Sequence, residues 1–422
     1  MRPFHDRENI WRQGAVFANP LDMKKTATSR RASRVAPFIV MDVLRAAGEM
    51  AAAGEDVIHM EVGQPFGPAA DKAIAAAHAA LDADDLGYTE AKGIAPLRER
   101  IARHYEETHG VPVDPARVFV TTGSSGAFVL AFLAAFDAGD AVGLANPGYP
   151  AYRNIFHALN ITPELIETGP ESRWAPPIET VRARLKAGMK GLLVASPANP
   201  TGVMLAPDAL RALIHETEAA GGRFISDEIY HDLTYGMRAH TALEFSREAI
   251  VINSFSKYYG MTGWRVGWMI VPESLVRAAE VLAQNMFINT PTISQHAAIA
   301  AFDATEELEA RKAVYAKNRA FLIDALPKIG FADFAPVDGA FYIYCDVSAH
   351  TRDSYDFARR ILRETRVAVT PGLDFDPGRG HRYLRFSFCG SHEDMRRAVA
   401  RLGEWMRARK SREGSARRPD GQ

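Results

Sequence analysis

The sequence is poor in cysteine and has no long apolar run. Its 422 residues include two cysteines, Cys345 and Cys389, which are too few for a disulfide framework and are wrongly spaced for a zinc site. The longest apolar run, residues 127–136, has ten residues, whereas a membrane-spanning helix needs about 20. These absences predict a soluble, cytoplasmic protein with no metal site and no membrane partner.

An excess of charge of one sign is also missing. The chain carries 50 Lys and Arg against 51 Asp and Glu, which leaves a net charge of -1. No global field therefore attracts nucleic acid, and we expect no nucleic-acid partner. Hydrophobic residues make up 47% of the chain, a fraction typical of a globular protein and too high for a disordered one. The length allows two or three structural units.

The two ends of the chain differ in composition from the rest. Residues 1–34 hold eight Lys and Arg and three Asp and Glu without clear periodicity, which predicts a flexible or surface-lying arm. Residues 407–422 are also basic. A solvated, frayed terminus explains such a run better than a polyanion site does, so neither end is assigned a function.

Between the ends, apolar runs alternate with helical patterns, which predicts an α/β fold with a mostly parallel sheet covered on both faces. Leu97, Ile101 and Tyr105 recur at the spacing of one helix face. A second helix is predicted to reach Phe136, with Gly139 as its C-terminal cap. The candidate strands are residues 118–122, 141–145, 163–167, 191–195, 223–226, 249–253 and 266–271.

Polar segments follow five of these strands. They are Thr122-Gly123-Ser124-Ser125-Gly126, Asn146-Pro147-Gly148-Tyr149, Asn199-Pro200-Thr201-Gly202, Asp227-Glu228-Ile229-Tyr230 and Ser254-Phe255-Ser256-Lys257. In open α/β sheets, ligands bind beyond the carboxyl ends of the strands. The five segments therefore predict one composite site. No predicted strand is followed by a Gly-x-Gly-x-x-Gly turn, so a dehydrogenase is a weak alternative.

In this order, and followed by Arg265 and Arg385, the segments resemble the class I/II aminotransferases, enzymes of the pyridoxal 5'-phosphate fold type I. The resemblance implies a large domain at residues 65–304, with a mostly parallel seven-stranded sheet between helices. A smaller α+β domain would combine residues 30–64 and 305–407 from both chain ends, with an N-terminal arm at 1–29 and a flexible tail at 408–422. The resemblance also implies the cofactor pyridoxal 5'-phosphate and a homodimer with shared active sites.

The strongest part of the resemblance runs from Ser254 to Gly267. It implies that Lys257 forms a Schiff base with the cofactor aldehyde and that Arg265, eight positions later, holds the phosphate. A dry pocket or neighbouring cations make a lysine easier to deprotonate, and an arginine fork matches two phosphate oxygens. The other phosphate contacts that the resemblance implies are Ser124, Ser125, Gly126, Ser254 and, from the neighbouring subunit, Tyr88.

The resemblance also implies which residues surround the cofactor ring. Asp227 would pair with the pyridine nitrogen, because a carboxylate there keeps the ring protonated and able to accept electrons. A helix N-cap is the alternative role for this aspartate. Tyr230 and Asn199 would meet the phenolic oxygen, and Tyr149 would stack on the ring. A cis bond before Pro200 is implied as well.

Three residues are implied to bind the substrate. Arg385 would receive the α-carboxylate, which would select α-amino acids and 2-oxo acids as a class, and Gly63 and Asn199 would lie beside it. The implied reaction moves an amino group from an α-amino acid to a 2-oxo acid. The freed amine of Lys257 would carry the Cα proton, which makes Lys257, with Asp227 and Tyr230, the implied catalytic set.

The amino-acid donor stays open at this point. Residues 38–41 are apolar and mildly favour a neutral or aromatic side chain. Arg30, Arg31 and Arg34 could instead bind the second carboxylate of an aspartate-like donor. Many relatives carry an acidic residue and a Phe-Gly pair where this chain has Gln64-Pro65-Phe66-Gly67 and Leu373-Asp374-Phe375-Asp376, so no substrate subgroup is assigned.

Two other functions would use the same motifs. A C-S lyase or a related synthase starts from the same stabilised carbanion, and release of pyruvate and ammonia without an acceptor would identify it. A non-enzymatic effector-binding regulator of this fold would carry a DNA-binding domain ahead of it, and the segment before residue 57 leaves little room for one.

Overall fold

The computed structural model describes residues 28–416. The α-helices are Ile39–Ala52 (α1), Asp71–Asp82 (α2), Ala95–His109 (α3), Gly123–Ala135 (α4), Pro150–Leu159 (α5), Ile178–Lys186 (α6), Pro207–Ala219 (α7), Glu273–Met286 (α8), Thr292–Ala301 (α9), Thr305–Lys328 (α10), Ser354–Thr365 (α11) and His392–Ala416 (α12). The strands are Ile58–His59 (β1), Val118–Thr121 (β2), Ala141–Asn146 (β3), Thr162–Glu167 (β4), Gly191–Ala195 (β5), Arg223–Asp227 (β6), Ile250–Ser254 (β7), Gly267–Ile270 (β8), Tyr342–Asp346 (β9), Val367–Ala368 (β10), Thr370–Pro371 (β11) and Tyr383–Ser387 (β12). Residues 1–27 of the predicted arm and 417–422 of the predicted tail lie outside the described residues.

The largest sheet has seven strands in the order β2-β8-β7-β6-β5-β3-β4. The neighbouring strands from β7 to β4 are parallel, whereas β8 runs antiparallel to both β2 and β7. This confirms the predicted mostly parallel, seven-stranded sheet. Each predicted strand begins and ends within one residue of the observed strand.

Burial on both faces explains why these strands are apolar along their length. Every residue of β2, β7 and β8 is buried, and α4 packs on β7, β8 and α8. On α3, the predicted face of Leu97, Ile101 and Tyr105 is buried. Strands covered in this way do not need the alternation of polar and apolar residues that a half-exposed sheet shows.

The end of α4 differs from the prediction. The helix ends at Ala135, and Phe136 follows in an extended conformation with its side chain in the core. Gly139 lies beyond this cap and does not terminate the helix. Its φ of 99° and its N–H, which donates to the Asn160 carbonyl at 2.8 Å, place it in the turn that leads into β3.

A second, smaller unit is built from segments that precede and follow the strands of the large sheet in the sequence. Strands β11, β12 and β9 form an antiparallel sheet, and β1 pairs in parallel with β10. Helix α1 packs on β10 and β11, while α11 and α12 pack on each other. This confirms the predicted smaller α+β unit, which combines segments from both ends of the chain. The exact domain boundaries stay predictions.

The basic C-terminal segment is helical where the structure describes it. Helix α12 continues to Ala416, nine residues into the predicted tail. The guanidinium group of Arg409 lies 5.0 Å from the ring centres of both Phe357 and Trp405, so aromatic packing holds part of this run. Within residues 28–416, no helix is long and apolar enough to cross a membrane.

Strand direction brings the polar segments to one edge of the large sheet. Strands β3, β5, β6 and β7 point the same way, and so does β2, since β8 lies antiparallel between β7 and β2. The first residue of β8, Gly267, therefore lies at that edge, directly after Arg265 and Val266. A Cβ atom on Gly267 would lie 2.9 Å from the backbone nitrogen of Ser124, so the starts of β8 and α4 are in contact there.

Candidate active site

A cavity of about 200 Å³ opens at this edge, between the large sheet and the smaller unit. All five polar segments reach it, as the composite-site prediction requires. The predicted site residues that line it are Gly63, Ser124, Ser125, Tyr149, Asn199, Asp227, Tyr230, Lys257, Arg265 and Arg385. Three others, Gly126, Ser254 and Tyr88, do not line it.

Lys257 follows β7, and its side chain reaches the pocket. The Nζ atom donates a hydrogen bond to the Gly63 carbonyl at 2.7 Å. Burial, together with the positive charges of Arg385 and Arg265, lowers the pKa of this amine to about 8. More of Lys257 is therefore neutral near pH 7 than of an exposed lysine, and the neutral amine is the form that attacks a carbonyl carbon.

The start of α4 and Arg265 form a cradle for an anion. Ser124 and Ser125 lie in the first turn of α4, where N–H groups lack partners within the helix and the helix dipole is positive. A Cβ atom on Gly123 would lie 2.5 Å from the Arg265 guanidinium, so the glycine leaves space for this cation. Arg265 has a φ of 51°, uncommon for a residue other than glycine. These donors suit a phosphate group.

Two predicted phosphate contacts lie behind this cradle. The Ser254 hydroxyl is buried and contacts Ser256 Oγ at 2.9 Å and the Val266 carbonyl at 3.2 Å. Ser256, which the sequence pattern does not single out, lines the pocket instead. At Gly126, a Cβ atom would collide with the Thr122 hydroxyl, so this glycine allows the first turn of α4 to pack closely. The roles of Ser254 and Gly126 stay predictions.

Asp227 ends β6 and is buried beside the pocket. One carboxylate oxygen accepts a hydrogen bond from the Tyr152 hydroxyl, and the other accepts the Ile229 N–H at 3.1 Å. Burial raises the pKa of this carboxyl to about 6, although both hydrogen bonds and the charge of Lys257 act to lower it. A turn rather than a helix follows β6. The helix-cap alternative for Asp227 is therefore wrong.

Two tyrosines near the start of α5 support each other. The Tyr149 ring meets the Tyr152 ring edge to face at 5.3 Å, and it meets the Phe38 ring in the same manner at 5.8 Å. Such contacts hold an aromatic ring in a defined orientation. The sequence motif identifies Tyr149 but not Tyr152, although a spacing of three residues at a helix start indicates a shared face.

Tyr230 faces a residue that no sequence motif identifies. Its hydroxyl lies 2.8 Å from the hydroxyl of Tyr342. Burial raises the pKa of Tyr342 to about 12 and holds the pKa of Tyr230 well above its ordinary value. A Cβ atom on Gly63 would collide with the Tyr342 hydroxyl. Gly63 therefore lets Tyr342 reach the pocket, and both phenols stay protonated hydrogen-bond donors at neutral pH.

Arg385 lies in β12 and is 3% exposed. Its Nη1 donates to Asn199 Oδ1 at 2.9 Å, and its Nη2 donates to the Glu61 carbonyl. The guanidinium lies 4.2 Å from the ring centre of Tyr342 and 4.7 Å from that of Phe375. Its Nε has no hydrogen-bond partner among residues 28–416. A planar, buried cation that lines a pocket suits a carboxylate ligand.

Two of the pocket segments contain cis peptide bonds. The Asn199-Pro200 bond is cis, which confirms the prediction made for it. The Asn146-Pro147 and Ser196-Pro197 bonds are also cis.

Tyr88 lies away from the pocket of its own chain. Its side chain is 86% exposed, and Leu81, Leu86 and Ile288 are exposed apolar residues as well. The contact predicted between Tyr88 and the phosphate of a neighbouring subunit stays a prediction.

The N-terminal arginines do not line the pocket. Arg30, Arg31 and Arg34 are exposed, and Arg34 Nη1 donates to Asn160 Oδ1 at 3.3 Å. Asn160 follows the last residue of α5, whereas Tyr149 precedes the first. A ten-residue helix is about 15 Å long, so Arg34 contacts the end of α5 that is remote from the pocket.

Comparison with known proteins adds independent evidence. Residues 55–402 match the family model described as aminotransferase class I and II. The chain is 47% identical over 376 residues to the valine–pyruvate aminotransferase of Mycobacterium tuberculosis, with 88% of this chain and 97% of that protein covered. It is 31% identical over 385 residues to the aspartate aminotransferase of Thermotoga maritima, with 90% and 100% covered. The crystal structure of an aminotransferase from Mycobacterium tuberculosis superposes with a TM-score of 0.88 at 46% identity, covering 91% of this chain and 100% of that one.

The pKa of Lys257 predicts how the cofactor-free protein reacts with an aldehyde. Because only the neutral amine attacks, the rate of reaction with pyridoxal 5'-phosphate should rise about tenfold per pH unit below the pKa of about 8 and level off above it. Stopped-flow absorption measures this rate, and the Lys257→Ala variant gives the background from other lysines. A rate that keeps rising to the pKa of an ordinary lysine would contradict this reading.

Proposed function

The chain belongs to the aminotransferase class I and II family, and we propose that it moves the amino group of a neutral aliphatic α-amino acid to pyruvate. It is an aminotransferase, an enzyme that exchanges an amino group between an α-amino acid and a 2-oxo acid. The main support for a neutral aliphatic donor is the apolar wall that the start of α1 contributes to a pocket with a buried arginine.

Members of the family generally depend on pyridoxal 5'-phosphate, and the residues of this pocket suit that cofactor. Arg265, Ser124 and Ser125 would hold the phosphate at the start of α4. Asp227 would keep the pyridine nitrogen protonated, and Tyr230 would donate to the phenolic oxygen. When bound, the cofactor supplies an electron-withdrawing ring that stabilises negative charge on the substrate Cα.

Lys257 is the residue that we propose moves the proton. A pKa of about 8 leaves its amine able to take the Cα proton and to release it again near neutral pH, which is the requirement for a general acid and base. The Gly63 carbonyl, 2.7 Å from Nζ, fixes the position of the amine. Arg385 donates to the Glu61 carbonyl two residues earlier, so one short backbone segment holds both cations.

Arg385 supports recognition of the α-carboxylate. Its Nη1 and Nη2 are held by Asn199 and the Glu61 carbonyl, so the plane of the guanidinium is fixed before a ligand arrives. A preorganised fork of donors binds both oxygens of a carboxylate. This contact would select α-amino acids and 2-oxo acids, whatever their side chain.

The start of α1 supports a neutral donor. Phe38, Val40 and Met41 line the pocket at this wall. In the described part of the chain, the cations that line the pocket are Lys257, Arg265 and Arg385. Each has a role in the proposal, so none is left to pair with a second carboxylate, and an unpaired buried carboxylate is costly. The relative named valine–pyruvate aminotransferase supports the same donor class.

The relatives also bear on the alternative functions. Both curated relatives are named aminotransferases, which favours amino transfer over a C-S lyase, a synthase or an effector-binding regulator. A cytoplasmic location stays a prediction that rests on the low cysteine content.

Single half-reactions test the proposed donor. We expect L-valine, added to the cofactor-loaded protein without a 2-oxo acid, to convert the cofactor to a stable amino form whose spectrum pyruvate reverses. L-Aspartate should react with an efficiency lower by about tenfold or more, since its second carboxylate meets an apolar wall. Absorption spectra measure both, and an ammonia assay on the same samples detects a lyase. Equal reaction of aspartate and valine, or ammonia release, would contradict the proposal.

We also infer a homodimer in which Tyr88 completes the partner's site. Tyr88, Leu81 and Leu86 are exposed and lie close together in sequence, which supports an interface here, because exposed apolar patches mark association sites. In an isologous dimer, each Tyr88 would contact the phosphate held by the other subunit.

Mixing of inactive variants tests this shared site. The Tyr88→Phe variant should bind the cofactor about 10- to 100-fold more weakly, because a hydrogen bond to a charged group is lost. When it is mixed with the Lys257→Ala variant at limiting cofactor, hybrid dimers hold one complete site, so activity should recover to roughly a quarter of wild type. In the matched control, the Tyr88→Phe variant is mixed with a Tyr88→Phe/Lys257→Ala double variant. Neither subunit then supplies Tyr88, so activity should not recover. Absence of recovery in both mixtures would refute a shared site.

A further inference from the structure

The first turn of α1 is capped from a distant part of the chain. Phe38 precedes the helix and offers no side-chain acceptor to it. Instead, the two carboxylate oxygens of Asp374 accept the N–H groups of Ile39 at 3.1 Å and of Val40 at 3.0 Å. Helix starts leave such N–H groups without partners, and a carboxylate there also meets the positive end of the helix dipole. Asp374, which is 3% exposed, therefore fixes where α1 begins.

The turn that Asp374 caps is the turn that lines the pocket. Phe38, Val40 and Met41 all face it. Phe38 also packs edge to face on Tyr149. Met41 is 51% exposed, so the helix backbone, more than surrounding packing, sets its position. A shift in the start of α1 would therefore move the apolar wall relative to the substrate.

The loop that carries Asp374 is tied to two other parts of the pocket. The Phe375 carbonyl accepts the Gly148 N–H at 3.2 Å, in the segment between β3 and α5. The Phe375 ring lies 4.7 Å from the Arg385 guanidinium. The Asp374 carbonyl accepts a hydrogen bond from Arg153 at 3.3 Å. The loop thus sets the distance between the arginine at one side of the pocket and the apolar wall at the other.

From these contacts we propose that Asp374 is a positioning residue for substrate selection, which holds the α1 wall where it contacts a branched aliphatic side chain. The inference rests on the proposed function, because it concerns the donor's side chain. A valine side chain would reach this wall, whereas the methyl group of alanine would be too short to depend on it. Loss of the cap should therefore penalise valine and spare alanine.

The test compares two donors in the cofactor-loaded protein. Single-turnover reactions with L-valine and L-alanine, followed by absorption, give an efficiency for each donor in wild type, Asp374→Ala and Asp374→Asn. We expect Asp374→Ala to lower the valine-to-alanine ratio about tenfold, the effect of losing contacts with one or two carbon atoms. Asp374→Asn keeps one acceptor oxygen and should fall between. If the Asp374→Ala variant does not fold, the Asp374→Asn variant still tests the role of Asp374.

A matched control separates positioning from general stability. Asp353, the residue directly before α11, also caps a helix start: its Oδ1 accepts the N–H groups of Tyr355 at 2.9 Å and Asp356 at 3.1 Å, and it does not line the pocket. The Asp353→Ala variant should leave the donor ratio at the wild-type value. In the cofactor-free protein, amide hydrogen exchange should become about fivefold faster in the first turn of α1 for Asp374→Ala, and in that of α11 for Asp353→Ala.

The outcomes distinguish this inference from the proposed function. A wild-type protein that fails to react with valine refutes the proposed donor. If wild type reacts with valine but Asp374→Ala keeps the wild-type donor ratio, or loses both donors equally, Asp374 has no role in selection. Unchanged exchange in the first turn of α1 would refute the capping role itself.

Discussion

The direction of the strands at one edge of the large sheet is the constraint on which the site depends. Parallel strands deliver the residues that follow β3, β5, β6 and β7 to this edge, and the antiparallel β8 begins there. Arg265, which lies just before β8, therefore meets the start of α4. If β8 ran the other way, its four residues would carry Arg265 about 13 Å from that helix, and the anion cradle would lose its cation.

Burial at this edge acts on the two central titratable groups in opposite directions. It lowers the pKa of Lys257 to about 8 and raises that of Asp227 to about 6, because a dry environment disfavours the charged form of each. Placing both groups here reduces stability relative to leaving them in water. This cost is expected at a reactive site, which needs the nucleophilic amine of Lys257 and the carboxylate of Asp227, able to stabilise a cation, close together.

Local patterns predicted the elements of this fold, but not the contacts between them. The strands and the polar segments after them are short and continuous, so their convergence followed from strand direction. Tyr342 and Asp374 act across 112 and 335 residues of sequence, a separation that no local pattern records. Ser256 lines the pocket where Ser254 was predicted, because the chain turns after β7 and strand alternation no longer indicates which hydroxyl faces the ligand.

Lys257, among the lysines of the chain, is the residue that we propose holds the cofactor. Reduction of the cofactor-loaded protein with borohydride converts the bond between the lysine amine and the cofactor aldehyde into a stable one, and peptide mass spectrometry then locates it. We expect the added mass to lie on the peptide that contains Lys257 and to be absent from the Lys257→Ala variant. A modification on another lysine, or none, would contradict it.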